Sequence, residues 1–282
     1  MDFDIVSDFD TCHEQGRRIR ISDLYEIQYM ATTIAISGKG GSGKTTLAAM
    51  IIKFLLAQAD RKAVLAVDAD PNSCLGLTLG VQPTGTVADI REDARAKPPT
   101  NAGMDRIRLF EYGIQQAITE AEGFDLLTMG RPEGPACYCA VNNMLRKFLD
   151  QLSSQYQFVI IDNEAGMEHL SRRTTNNVDL LCITAEPTSL GALTARRIFD
   201  LAKKLPIVVR QIGVIWNRAE SSKEIDGIDT FGYIPYDKTV SDASLQAKTV
   251  FDITNDSPAF SAVRKIFDRL LVLSSQTTNP EL

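Results

Sequence analysis

The stretch SGKGGSGKTT at positions 37–46 concentrates glycines, lysines and threonines directly behind a short apolar run. Gly38, Gly43, Lys44 and Thr45 occupy the fixed positions of the pattern GxxxxGK[ST], and Gly40, Gly41 and Ser42 fill the span between them. Such a loop suits phosphate chemistry. Glycines let the backbone curl so that its N–H groups surround phosphate oxygens, and a helix starting near Lys44 turns its positive end towards them. The Lys44 ammonium neutralises phosphate charge, Thr45 offers a hydroxyl to Mg²⁺, and Thr46 stands on the α-phosphate side.

Lys39 adds a second lysine inside GKGG. This arrangement resembles the deviant Walker A signature of the P-loop family that includes nitrogenase iron protein, the Min and Par ATPases and the arsenite-pump ATPase. The resemblance implies a homodimer in which Lys39 reaches across the two-fold axis to the partner's phosphates, where a cation stabilises developing charge. It also implies roles for acids at strand ends. Asp68 and Asp70, in AVDADPNSCLG, resemble switch I, with Asp68 near Mg²⁺ and Asp70 orienting the attacking water. Asp162 ends FVIID and resembles Walker B, and the following NEAG places the Gly166 N–H near the γ-phosphate. Asn217, at the end of IGVIWN, matches the position that hydrogen-bonds adenine; Arg218 follows it, and the IPYD segment with Pro235 and Tyr236 resembles the loop lining the base. ATP is favoured over GTP, since no NKxD motif occurs.

Cys137 and Cys139 form a CxC within GRPEGPACYCAVNNML. Two thiolates are too few for a tetrahedral sulfur site. Two copies facing each other supply four sulfurs, enough for Ni²⁺ or Zn²⁺. In the order GKGGSGKTT, VDADPNSCLG, CYC, DNEAGMEHLSR and IPYD, residues 30–282 resemble the CooC-type ATPases that insert nickel into carbon monoxide dehydrogenase or a related enzyme. The resemblance implies an ATP-dependent homodimer that carries Ni²⁺ or Zn²⁺ at Cys137 and Cys139 across the interface and delivers nickel to an apo metalloenzyme client.

These groups need strands and helices to place them. Apolar runs predict strands at 33–37, 63–68, 125–129, 158–162, 180–184, 212–217 and 230–234, and helical periods cover 44–56, 141–152, 190–204 and 259–272, with VADIREDARAK a further helix. Their alternation predicts an α/β fold with a mostly parallel central sheet and helices on both faces. Residues 1–29 lack periodicity and are expected to lie outside the fold as an N-terminal extension or a misassigned start; residues 30–282 are expected to form a single P-loop ATPase domain.

Bulk properties narrow the partners. The net charge of −6 opposes nonspecific binding to nucleic acid or anionic membrane, and neither partner is expected. No apolar run reaches the ~20 residues of a membrane span, and the start MDFDIVSDFD is acidic where a secretory signal is basic, so the cytoplasm is the expected location. Five irregularly spaced cysteines suit reduced thiols. Two rival functions share the loop. A partition or spatial-regulation ATPase of the Min/Par type would use the amphipathic FSAVRKIFDRLLVLSS as a surface anchor, whereas an iron-sulfur reductase like nitrogenase iron protein would need well-separated cysteines. A biosynthetic amidotransferase would require a glutaminase domain for which no length remains.

Overall fold

Runs of Val, Ile and Leu too short to complete a helix become parallel strands when both of their faces can be covered. The computed structural model describes residues 13–14, 17–18, 31–58, 63–96, 112–131, 152, 155–165 and 177–276, and the chain divides into two units, Met1–Met30 and Ala31–Leu282. In the first unit, His13–Glu14 (β1) and Arg17–Arg18 (β2) pair antiparallel.

The second unit carries the sheet. Its strands are β3 (Thr32–Gly38), β4 (Val64–Ala69), β5 (Ile118–Glu120), β6 (Phe124–Thr128), β7 (Phe158–Asn163), β8 (Asn177–Ala185), β9 (Val208–Asn217) and β10 (Asp229–Ile234). They lie in the order β10-β9-β8-β3-β7-β4-β6-β5, parallel throughout except for β5, which runs antiparallel on the edge. β4 and β7 are buried at every position, as expected of strands covered on both sides.

The helices are α1 (Lys44–Leu56), α2 (Leu75–Leu79), α3 (Val87–Ala96), α4 (Ser189–Ala202), α5 (Lys238–Leu245) and α6 (Pro258–Gln276). One apolar cluster joins α1 and α6 to the side of β3 that carries Ile34 and Ile36, and the other packs Ile198 and Phe199 of α4 on the side that carries Ala35. α1 is buried on nearly all sides, so even Lys53 lies within it. The Lys53 ammonium donates to the carbonyls of Val250 and Ile253 and stands 4.6 Å from the centre of the Phe260 ring. Burial lowers its pKa, and these contacts tie α1 to the turn before α6.

Every strand expected from the sequence is present, with its ends moved by up to four residues. The expected helix at 141–152 lies outside the described residues except for Leu152. α4 begins one residue early because the Thr188 hydroxyl caps it, accepting from Gly191 N. Three of the elements named in the second unit escape a periodicity reading, α2 among them because five residues make little more than one helical turn. β5 is only three residues long, and α5 owes its start to Asp237, whose carboxylate accepts from Thr239 N and Oγ1, Ser257 Oγ and Ala259 N. Among the described residues no helix is long and apolar enough to cross a membrane.

Burial works to raise the Asp237 pKa, but the hydroxyls of Ser257 and Thr239 and the Ala259 and Thr239 N–H groups outweigh it and hold the group at about 2. A carboxyl depressed below its unfolded value of about 4 stabilises the fold above that pH and loses its contribution as pH falls towards 2. Asp237→Asn is therefore expected to cost about 1–2 kcal/mol in urea unfolding at pH 7, with the deficit vanishing near pH 2. A deficit independent of pH would contradict this account.

Candidate functional site

In a parallel sheet every strand ends at the same edge, so the loops after β3, β4, β7, β8, β9 and β10 meet there. The chain leaves β3 towards β4 on one side and passes from β7 to β8 on the other, which opens a crevice at the end of β3.

The loop between β3 and α1 lies in that crevice. Its last residue, Gly43, caps α1 at φ 92°, a left-handed conformation that a side chain disfavours. At the loop's start, a Cβ on Gly38 would come within 2.4 Å of Thr184 O, so β8 approaches too closely for any other residue. Ser42 N donates to Lys39 O at 3.1 Å, and the nearly buried Lys44 ammonium donates to the same carbonyl at 3.5 Å. The Lys39 residue is exposed at the loop tip.

Two clefts adjoin the loop. One, of about 530 Å³, is lined by Gly40, Gly41, Lys44 and Thr45 from the loop, Asp70 from the segment after β4, and Glu164 and Ala165 after β7. The other, of about 440 Å³, has Asn217, Arg218, Pro235 and Tyr236 on its walls and Leu47, Met50 and Ile234 among its apolar lining. Gly43, Thr46 and Arg218 line both, so the two clefts form one site of the size that small-molecule ligands occupy. Tyr236 is 63% exposed at its mouth.

Asp68 and Asp162 face each other on adjacent parallel strands, paired in register and with no exposed surface. Asp68 accepts from Leu75 N at 2.9 Å and Asp70 N at 3.3 Å, fixing the turn that follows β4. Asp70 in turn accepts from Asn72 N at 2.9 Å and Asn72 Nδ2 at 2.8 Å. Neither oxygen of Asp162 has a well-formed hydrogen bond. Burial pushes Asp162 up to about 7; the Thr45 hydroxyl and Lys44 charge pull it down, while the Asp68 and Asp70 charges raise it further. Burial likewise raises Asp68 to about 6 against its N–H bonds. Other buried polar atoms without partners cluster at the same edge: the hydroxyls of Ser37, Ser42, Thr128 and Thr184 and the side-chain carbonyl of Asn163. Unpaired buried oxygens around Thr45, Asp68 and Asp162 fit a hard divalent cation, which takes oxygen ligands.

Several contributors were not legible beforehand. Asn163 Nδ2 donates to Ile36 O at 3.0 Å and locks β7 to β3, which explains a polar residue within a buried strand. Glu186, just past β8, pairs with Arg218 at 2.8 Å; its strand-end position was the available signal. Cys182 is a core thiol pushed by burial to about 12, and Cys74 is exposed. Among the described residues, no group of three or more His, Cys, Asp or Glu side chains could hold a metal ion. Cys137, Cys139 and Gly166 lie outside the described residues.

Residues 33–250 match the family model of the CobQ/CobB/MinD/ParA nucleotide binding domain. The chain is 39% identical to an uncharacterized ATP-binding protein of Methanocaldococcus jannaschii, over 84% of this chain and 98% of that protein. It is 31% identical to the carbon monoxide dehydrogenase accessory protein CooC of Rhodospirillum rubrum, over 78% of this chain and 90% of that one. The septum site-determining protein MinD of Pyrococcus horikoshii, solved in complex with Mg-ADP, has a similar fold: TM-score 0.60 and 23% identity, covering 87% of this chain and 99% of that one.

The buried, unpaired Asp162 carries a stability cost. Its pKa of about 7 exceeds the unfolded value of about 4, so between those values the folded chain binds more protons and stability falls as pH rises. Asp162→Asn is expected to stabilise the nucleotide-free protein by roughly 2–4 kcal/mol at pH 8 and by little near pH 4. Denaturant unfolding in chelator measures this; equal stabilities at pH 8 would refute the assignment.

Proposed function

The chain belongs to the CobQ/CobB/MinD/ParA nucleotide-binding family and is an ATPase, and on that premise we propose that it is a metallochaperone that works as a homodimer to deliver nickel to an apo enzyme of the carbon monoxide dehydrogenase type. The observation that carries this reading is the similarity to CooC along most of both chains. The CxC at Cys137 and Cys139 supplies the chemistry, since two copies bring four thiolates to one Ni²⁺ or Zn²⁺.

In this reading the loop N–H groups and Lys44 hold the triphosphate, with Thr46 at its α-phosphate end. Thr45, Asp68 and Asp162 hold Mg²⁺, which when bound neutralises charge on the phosphates. Asp70 orients the attacking water, the Gly166 N–H meets the γ-phosphate, and Lys39 of each chain reaches the phosphates of the other. Asn217, Arg218, Pro235 and Tyr236 enclose the adenine. Residues 1–29 stand outside the working domain. The exposure of Lys39 at the loop tip and the half-enclosed cleft beside it suit a site completed by a second copy.

A Min/Par-type function would call on the last helix as a surface anchor. Phe260, Val263, Phe267 and Leu270 of α6 are already buried in the core, which favours the metallochaperone reading.

Two measurements test the proposal. Lys44→Ala is expected to abolish nucleotide binding, whereas Lys39→Ala keeps binding and lowers turnover by about 10²-fold or more; wild-type turnover in Lys39→Ala would remove the trans role. In an anaerobic metal titration, nickel or zinc is expected to saturate near one ion per two chains, to release protons on binding, and to be lost in Cys137→Ser/Cys139→Ser. One ion per chain, unchanged in the double variant, would exclude the cysteine pair from the mechanism.

A further inference from the structure

We propose that Asn217 is a positioning residue for the phosphate loop, setting the direction of a loop N–H in addition to lining the base cleft. The inference rests on residues 38–46 being the triphosphate loop.

Asn217 ends β9, two strands away from β3 in the sheet, and its side chain reaches over the end of β8 to the loop. Its Nδ2 donates to Ser42 O at 2.8 Å, and its Oδ1 accepts from Arg218 N at 3.0 Å. Both ends of the amide are thus engaged by backbone, which fixes its orientation. Arg218 holds its own backbone at φ 54°, where residues other than glycine are uncommon, and its guanidinium donates to Gly41 O at 3.4 Å and to Glu186 at 2.8 Å. Consecutive residues at the end of β9 therefore grip consecutive carbonyls of the loop.

The consequence follows from the planar trans peptide. C=O and N–H point in opposite directions across one peptide unit, so drawing Ser42 O towards Asn217 turns Gly43 N–H away from it, to the concave side of the loop. Phosphate oxygens need that N–H. Gly43 is matched to the same contact, because a Cβ there would stand 2.3 Å from Asn217 Nδ2. The glycine thus serves both the left-handed turn and the seat of the amide. Ser42 is nearly buried, so loss of the amide donor leaves its carbonyl without a partner and the peptide free to rotate.

A residue that only reads the base and one that also positions the loop differ in what their loss removes. Asn217→Asp keeps the size of the side chain and the acceptor for Arg218 N but deletes the donor to Ser42 O. Calorimetric titration of full-length wild type and variant, in Mg²⁺, would use ATP, GTP and inorganic tripolyphosphate as probes, with the melting temperature recorded alongside. Asn217→Asp is expected to weaken all three probes, tripolyphosphate by about tenfold. Asn217→Ala, which removes both contacts and adds no charge beside the polyphosphate, is expected to weaken all three in the same way, which separates loss of the loop contact from charge repulsion. A loss confined to ATP, with tripolyphosphate unaffected, would overturn the inference and leave Asn217 with the base alone; wild-type affinity of the variants for all three probes would overturn it as well. Failure of the wild type to bind any of the three would sink the triphosphate reading of the loop and this inference with it.

Discussion

Asp68 and Asp162 stand opposite each other on neighbouring parallel strands with no exposed surface, and the site is built around the cost of keeping two carboxylates there. Register leaves no choice in the matter. A strand pair that buries both faces projects paired residues to the same side, so acids at matching positions become neighbours. Asp68 is relieved by backbone N–H groups and Asp162 is not, which leaves Asp162 as the side chain best served by an added cation. The stability lost at this edge resembles the strain that functional sites store generally, and the buried, close-packed sheet below carries it.

The same edge explains the loop. A phosphate-binding turn needs N–H groups pointing inwards, and its own carbonyls must therefore point outwards to other partners. Those partners come from distant parts of the chain: Asn217 and Arg218 after β9, with Glu186 after β8 bracing Arg218. The Arg218–Glu186 pair is half exposed and contributes little to stability by itself; its effect is on the direction of the guanidinium. The helix behind the loop is held from the other end, where Lys53 bonds the carbonyls of the turn before α6. Loop and helix are thus gripped at both ends by segments that follow them by 175 to 200 residues.

Much of this was legible in the residues themselves. GKGGSGKTT determined a phosphate loop because few other turns use glycines, lysine and threonine at that spacing, and the apolar runs around it determined a parallel sheet because they were too short and too continuous for amphipathic helices. Strand-end placement of Asp68, Asp162 and Asn217 followed from the same runs. What only the tertiary structure decided was who meets whom across strands not adjacent in sequence. The register that faces Asp68 with Asp162, the Asn163 amide that ties β7 to β3, and the reach of Asn217 to Ser42 depend on strand order, which periodicity does not encode. Nor did periodicity reveal β5, α2 or α5, since the first two are three and five residues long and the third is an eight-residue helix started by the local cap of Asp237 on Thr239 N. Residue types announce which chemistry is available; the order in which strands pack determines which of those residues share a hydrogen bond, because that bond forms only within about 3 Å.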